Sequence, residues 1–273
     1  TIIEIFEFIN LADILKSRPA PFNDANHVAF MIINFFSIAI LVNLIRLHFT
    51  LLKAPLLIRQ IAPFGIFYIL PFTLFSYPSS NYWLPYDLSG VLFFYSLILL
   101  IAYNKDHYFL LLLPLAILNR ETTIFTAGIL ILIRLLEKRY LRALVISAVS
   151  VTLFIVLKAW LHQQYSTNSA GSETYLGLLE YQFSFNLSYL SNPMWWPSIM
   201  AMFGFLWIPV FLCIRDIEDN VIKIATLCFP LYLLIMLFVG HIVEMRIFNE
   251  YSTVFLVAAV LVFLNKIQKN TPV

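Results

Sequence analysis

The chain has 273 residues, 61% of them hydrophobic and 12% charged, with mean hydropathy +0.87 and a formal net charge of +2. That balance excludes an ordinary soluble domain, in which about a quarter of residues are charged, and so small a net charge gives no footing for nucleic acid. Aromatic residues reach 16%, which suits a protein with two membrane interfaces to anchor.

In chain order, residues 1–27 form a polar opening segment that carries Glu4, Glu7, Asp13, Asp24 and His27. Asp24 reads first as the N-terminal cap of the span that follows, and Asp13 lies in a short amphipathic stretch at 11–16. The segment opens on Thr1 with no basic n-region, so it has no signal peptide to read. The chain is expected to be a fragment or processed form that lacks an upstream transmembrane helix. Apolar runs then fall at 28–48, 60–77, 88–103, 108–135, 141–161, 195–214, 221–239 and 251–264. They are continuously apolar rather than alternating, which excludes barrel strands and predicts spanning helices. Cys213 and Cys228 fall in or beside such runs and read as small buried hydrophobes, with no metal-site spacing.

The run at 108–135 is interrupted near its middle by Asn119-Arg120-Glu121. One continuous helix would put Arg120 near the bilayer centre, at a cost of about 3 kcal/mol even on the lenient insertion scale. A hairpin of two half-length helices is cheaper, because its charged tip then lies in a protein-lined or watery cavity. The expected fold is all-α: a polytopic transmembrane bundle with about seven full spans plus one re-entrant half-helix hairpin, in a single integral-membrane domain.

The hairpin also sharpens the charge asymmetry. With it, Arg46, Lys53, Arg59, Lys105, Arg134, Lys138, Arg139, Arg142, Arg215, Lys223, Lys266 and Lys269 share one side, and Lys16, Arg18, Arg120, Lys158 and Arg246 the other. A continuous helix would reduce the split to about 10 against 6 and strand Arg120 between them. The richer side is cytoplasmic by the positive-inside rule. The opening segment, the hairpin tip and the loop at 162–193 are then extracytoplasmic, with the tail at 265–273 inside. Trp83, Trp160, Trp195 and Trp196 fall at the outer interface as a belt.

Most non-basic polar groups gather on that outer face. Arg120, with Asn119 as a cap for the second half-helix and Glu121 beside it, offers a cation and a helix N-terminus to an anion such as phosphate. Alternatively, Arg120 pairs with Glu121 or with an acid of another span. In the last outer turn His241 and Glu244 share a helical face, and Arg246 reads as a second phosphate clamp or as the four-residue ion-pair partner of Glu250. Asp87, after Pro85-Tyr86, reads as a helix cap. Asn186-Leu187-Ser188 is a formal glycosylation acceptor. Gly-rich phosphate loops, the Gly-x-Ser-x-Gly elbow and His-Glu-x-x-His are absent, and no internal repeat is visible.

The apolar stretch broken at Leu118-Asn119-Arg120-Glu121-Thr122, together with the outer loop Trp83-Leu84-Pro85-Tyr86-Asp87, resembles the polytopic glycosyltransferases of the C type, the GT-C superfamily. It is also similar to uncharacterised bacterial membrane proteins with an Asn-Arg-Glu-Thr run. The resemblance implies a sugar donor linked to polyprenyl or dolichyl phosphate, and a catalytic acid in the first extracytoplasmic loop. Residues 1–27 correspond to that loop, which puts the base at Asp13 or Asp24, with Glu4 and Glu7 behind them. The paired-acid motif of some members is absent, and no cofactor or metal is indicated. The implied reaction is inverting transfer at the outer face of a bacterial inner membrane. An acid takes the acceptor's hydroxyl proton, Arg120 and Arg246 hold the departing lipid phosphate, and Tyr82, Trp83 and Tyr86 stack on the sugar. The competing readings are a transporter or flippase with an outward cavity for an anionic lipid or solute, a glycan polymerase or ligase, and an inert scaffold.

Overall fold

In hydrocarbon a backbone has no hydrogen-bond partner but itself, so long apolar runs with few glycines become helix. The structure, a computed structural model, describes residues 25–74, 85–165, 175–240, 242 and 245–270. Among these residues the regular structure is all helical, with no strand. Helix α1 is Ala25–Leu51; α2 (Leu56–Ile61), a 3₁₀ turn (Ala62–Gly65) and α3 (Ile66–Leu74) follow as one rod. Next come α4 (Pro85–Ala102), α5 (Asp106–Asn119), α6 (Phe125–Leu136), α7 (Tyr140–Tyr165) and α8 (Tyr175–Ser191). Short α9 (Trp196–Met200) and α10 (Trp207–Leu212) lead to α11 (Asn220–Val239), and a 3₁₀ turn (Met245–Tyr251) leads to α12 (Ser252–Asn270).

Among the described residues, five helical stretches are long and apolar enough to cross a membrane: Val28–Leu51, Leu56–Thr73, Tyr140–Gln164, Asn220–Val239 and Ile247–Lys269. Their outer faces agree with that use. Along α7, Leu141, Leu144, Val151 and Ile155 are more than half exposed, a stripe that belongs against lipid rather than water. These features point to an integral membrane protein. The shorter apolar helices Asp87–Ala102 and Asp106–Asn119 occupy two of the other expected runs.

The run at 195–214 departs from the expected continuous span and folds as a chain of short pieces. Proline stands at 193, 197 and 209, and Phe203, Gly204 and Phe205 all take left-handed φ. Gly204 is needed there, because the Tyr68 ring packs where a Cβ would stand while its hydroxyl donates to the Gly204 carbonyl at 3.2 Å. The kink presses Phe203 onto Phe255 (4.6 Å between centroids), and Phe229 meets Phe255 edge-on at 5.0 Å. Asn186 also differs from its sequence reading. It is fully buried, donates to the carbonyls of Leu237 and Gly240, and accepts from the Ile242 N–H at 3.0 Å. In the folded chain it fastens the end of α11 and offers nothing to a glycosylating enzyme.

The interrupted run at 108–135 does double back. Asp106, at the start of α5, receives two hydrogen bonds from Arg134 near the end of α6, at 2.5 and 3.1 Å. Arg134 also reaches Glu137 at 2.8 Å, and Arg142 reaches Asp106 at 2.6 Å. The arms of 14 and 12 residues therefore share one end, and the tip at residues 119–124 stands about 20 Å away by helical rise. Helix α7 runs beside them, with Arg142 at the shared end and Lys158 paired with Glu121 at the tip.

The shared end is also where other acids and bases pair. Buried His48 contacts Asp219 through Nε2 at 3.3 Å and the Tyr95 hydroxyl through Nδ1 at 2.7 Å; its ring also lies 6.4 Å from Tyr103, three residues before Asp106. Asp219 caps α11 by accepting from the Ile222 N–H at 2.9 Å. Burial pushes the Asp219 carboxyl up, but the His48 hydrogen bond and the helix N–H groups outweigh it and hold the group below its ordinary value. Lys269 meets Asp216 at 2.7 Å, and Asn265 donates to Glu218 at 2.7 Å.

Asp106→Ala should destabilise the protein by about 3–5 kcal/mol, because it leaves buried Arg134 with only the partly exposed Glu137. The double replacement Asp106→Leu with Arg134→Met should recover most of that loss. Thermal unfolding in detergent measures both.

Candidate functional site

The tip has neither glycine nor proline, so its break has another source. Helix α5 ends where the Arg120 N–H bonds the Ala116 carbonyl at 2.8 Å, and Arg120 itself is extended (φ −158°, ψ 120°). Its freed carbonyl is taken by Thr123, through the N–H at 3.1 Å and the hydroxyl at 2.8 Å, and Thr126 repeats the hydroxyl pattern onto Thr123. Short hydroxyl side chains thus supply local partners that compete with the helix ladder. Glu121–Ile124 then makes a 3₁₀ turn before α6.

This geometry aims the Arg120 guanidinium away from its own hairpin. Nη1 faces Asp87 Oδ1 at 3.3 Å and Nε faces Glu250 Oε1 at 3.4 Å. The three side chains come from three distant segments and are 12%, 3% and 0% exposed. Glu250 also accepts from the Thr122 hydroxyl and contacts the Tyr232 hydroxyl at 2.9 Å. The tip can approach α4 because Ser89 and Gly90 are small. Ser89 donates to Asn119 Oδ1 at 2.7 Å, and a Cβ on Gly90 would lie 3.3 Å from Arg120 Cδ. Thr73 donates to Asn249, which ties α3 to the same turn.

Several sequence readings change here. Asn119 is the last residue of α5 and binds Ser89; no side chain caps the turn that starts the second arm. Asp87 sits in the first turn of α4 and meets Arg120 across the helix interface, so its role goes beyond capping. Glu121 points elsewhere, to the partly exposed Lys158. The segment at 245–251 is 3₁₀, in which residues four apart do not stack, so the helical premise for pairing Arg246 with Glu250 fails. Asp13, Asp24, His241 and Glu244 lie outside the described residues, as do the side chains of Tyr86 and Arg246. Among the described residues no three His, Cys, Asp or Glu side chains could hold a metal ion.

Glu250, Thr122, Tyr232 and Gly90 were not singled out as site residues by the sequence. Glu250 does carry a signal: an acid at the threshold of an apolar span needs a partner at depth, and the nearest basic residue in sequence is Arg246, four positions away. Chemically, the arrangement offers a fixed, planar, five-donor cation between two carboxylates at one end of a helical bundle. It suits an oxyanion that displaces one carboxylate from the fork.

Comparison of the chain with protein-family models, curated proteins and solved structures finds no match.

Gly90→Val should push Arg120 off Asp87 while leaving the Asp106–Arg134 clasp intact. A structure of the variant, or loss of a measured coupling between Arg120→Lys and Asp87→Asn in a double-mutant cycle, checks this.

Proposed function

We propose that the chain is a membrane glycosyltransferase that moves a sugar from a polyprenyl-phosphate-type donor to an acceptor at the extracytoplasmic face of a bacterial inner membrane. The observation that carries this reading is the meeting of Arg120 with Asp87 and Glu250, from three separate segments, at the end of the bundle opposite the paired bases. The guanidinium of Arg120 is a planar cation whose donors match the oxygens of a phosphate, and it lies 3.3 Å from Asp87 and 3.4 Å from Glu250.

In this reading the arms enter from the cytoplasmic side as a re-entrant hairpin. Their tip reaches about two thirds of the way through a hydrocarbon core of about 30 Å, close enough for Arg120 to meet an outer headgroup. Arg120 stabilises the charge that grows on the departing lipid phosphate, and Asp13 or Asp24 takes the acceptor's proton.

Two experiments test the reading. Single cysteines at 104 and 140, with Cys213 and Cys228 replaced, should react with an impermeant reagent from the same side of sealed vesicles; reaction from opposite sides overturns the hairpin topology. In lipid nanodiscs with a radiolabelled polyprenyl-phosphate sugar, Arg120→Lys should lower transfer to added acceptor on the order of 100-fold without loss of folded protein. If the wild type moves the labelled lipid across a bilayer and releases no sugar, the transporter reading replaces this one.

A further inference from the structure

The hydroxyl of Tyr232 stands between two oxygens. It lies 2.8 Å from the Ile247 carbonyl oxygen and 2.9 Å from Glu250 Oε2, and the tyrosine side chain is fully buried. A phenol carries a single proton, and a carbonyl oxygen can only accept. If that proton served Glu250, the Tyr232 and Ile247 oxygens would face each other at 2.8 Å with nothing between them. If it serves Ile247, a second proton must lie between Tyr232 and Glu250, and only the carboxyl can supply it.

Among the described residues, the groups that face Glu250 include Arg120 and Thr122 from the hairpin tip, Tyr232 from α11 and Tyr251 from its own turn, with Asp87 of α4 across Arg120.

We infer that Glu250 is the neutral acid of this site: its proton is donated to the Tyr232 hydroxyl, whose own proton goes to the Ile247 carbonyl, while Asp87 is the ionised partner of Arg120. The consequence for catalysis rests on the glycosyltransferase reading. A neutral Glu250 lets an anionic phosphate approach Arg120 without meeting a second carboxylate. As the sugar leaves, the Glu250 O–H bond breaks and the proton passes to an oxygen of the departing phosphate. The new carboxylate then turns to Arg120 as the lipid phosphate diffuses away. Thr122 and Tyr232 are positioning residues that hold the acid in line.

Infrared difference spectroscopy on the protein in lipid, without substrate, tests the assignment. Wild type should show a protonated-carboxyl stretch that shifts in heavy water, disappears in Glu250→Gln and persists in Asp87→Asn. Glu250→Gln should unfold at the wild-type temperature, since its amide can donate to Tyr232 as the acid does. Tyr232→Phe should keep the band but move it toward that of a free acid. Absence of the band in wild type, its loss in Asp87→Asn instead, or an unmoved band in Tyr232→Phe overturns the assignment. A band that behaves as expected in a protein that transfers no sugar overturns the glycosyltransferase reading alone.

Discussion

Two arginines interrupt an otherwise oily segment, and the way each is neutralised shapes the fold around it. A guanidinium buried without a carboxylate is prohibitively unfavourable in a low-dielectric interior. The run from Asp106 to Leu136 can therefore be buried only in an arrangement that brings acids to Arg120 and Arg134. Doubling back satisfies Arg134 from within the hairpin, because the residue that opens the first arm is Asp106. Arg120 has no such local solution. Its contacts include Asp87 of α4 and Glu250 of the turn before α12, so the tip helps to fix where those elements meet.

The two sites illustrate different uses of the same pairing chemistry. At the clasp, Arg134 lies in a fork on Asp106 with one contact of 2.5 Å, and Glu137 and Arg142 close the cluster. Geometry of that kind holds two helix ends together and leaves little freedom. At the tip, Arg120 bridges two carboxyls at 3.3 and 3.4 Å, each of them engaged elsewhere or buried. The hydroxyls of Thr122 and Tyr232 hold Glu250 in place, and Ser89 holds Asn119. The first cluster is a fastener; the second has the makings of a site, because its central cation is reached from several directions by groups able to exchange protons and partners.

Aromatic packing supplies the rigid floor beneath the tip. Tyr251, adjacent to Glu250, lies against Phe94 of α4 at 5.0 Å and against Phe229 of α11 at 5.1 Å, and Phe229 in turn meets Phe255. These rings connect the helices that carry the acids, so the spacing between Asp87 and Glu250 is set by side-chain volume rather than by the charges themselves. The kink at 203–205 belongs to the same floor, since it brings Phe203 onto Phe255.

The amino-acid sequence by itself determined the membrane character, the helical class, the break at Arg120 and its doubling back, because hydropathy and the expense of a buried charge are local quantities. It also showed that Arg120 needs an acid from somewhere. What only the tertiary structure decided was which acid. Asp87 looked like a helix cap and Glu250 like a neighbour of Arg246, since a linear reading pairs charges that are near in sequence. Across 33 residues in one case and 130 in the other, the partners of Arg120 are chosen by how α4, the hairpin and the last turn pack, and packing is a property of volumes in three dimensions. The broken run at 195–214 failed for a related reason: its apolar composition satisfies a span, but its prolines and the seat of Tyr68 on Gly204 matter only once the neighbouring rod is in place.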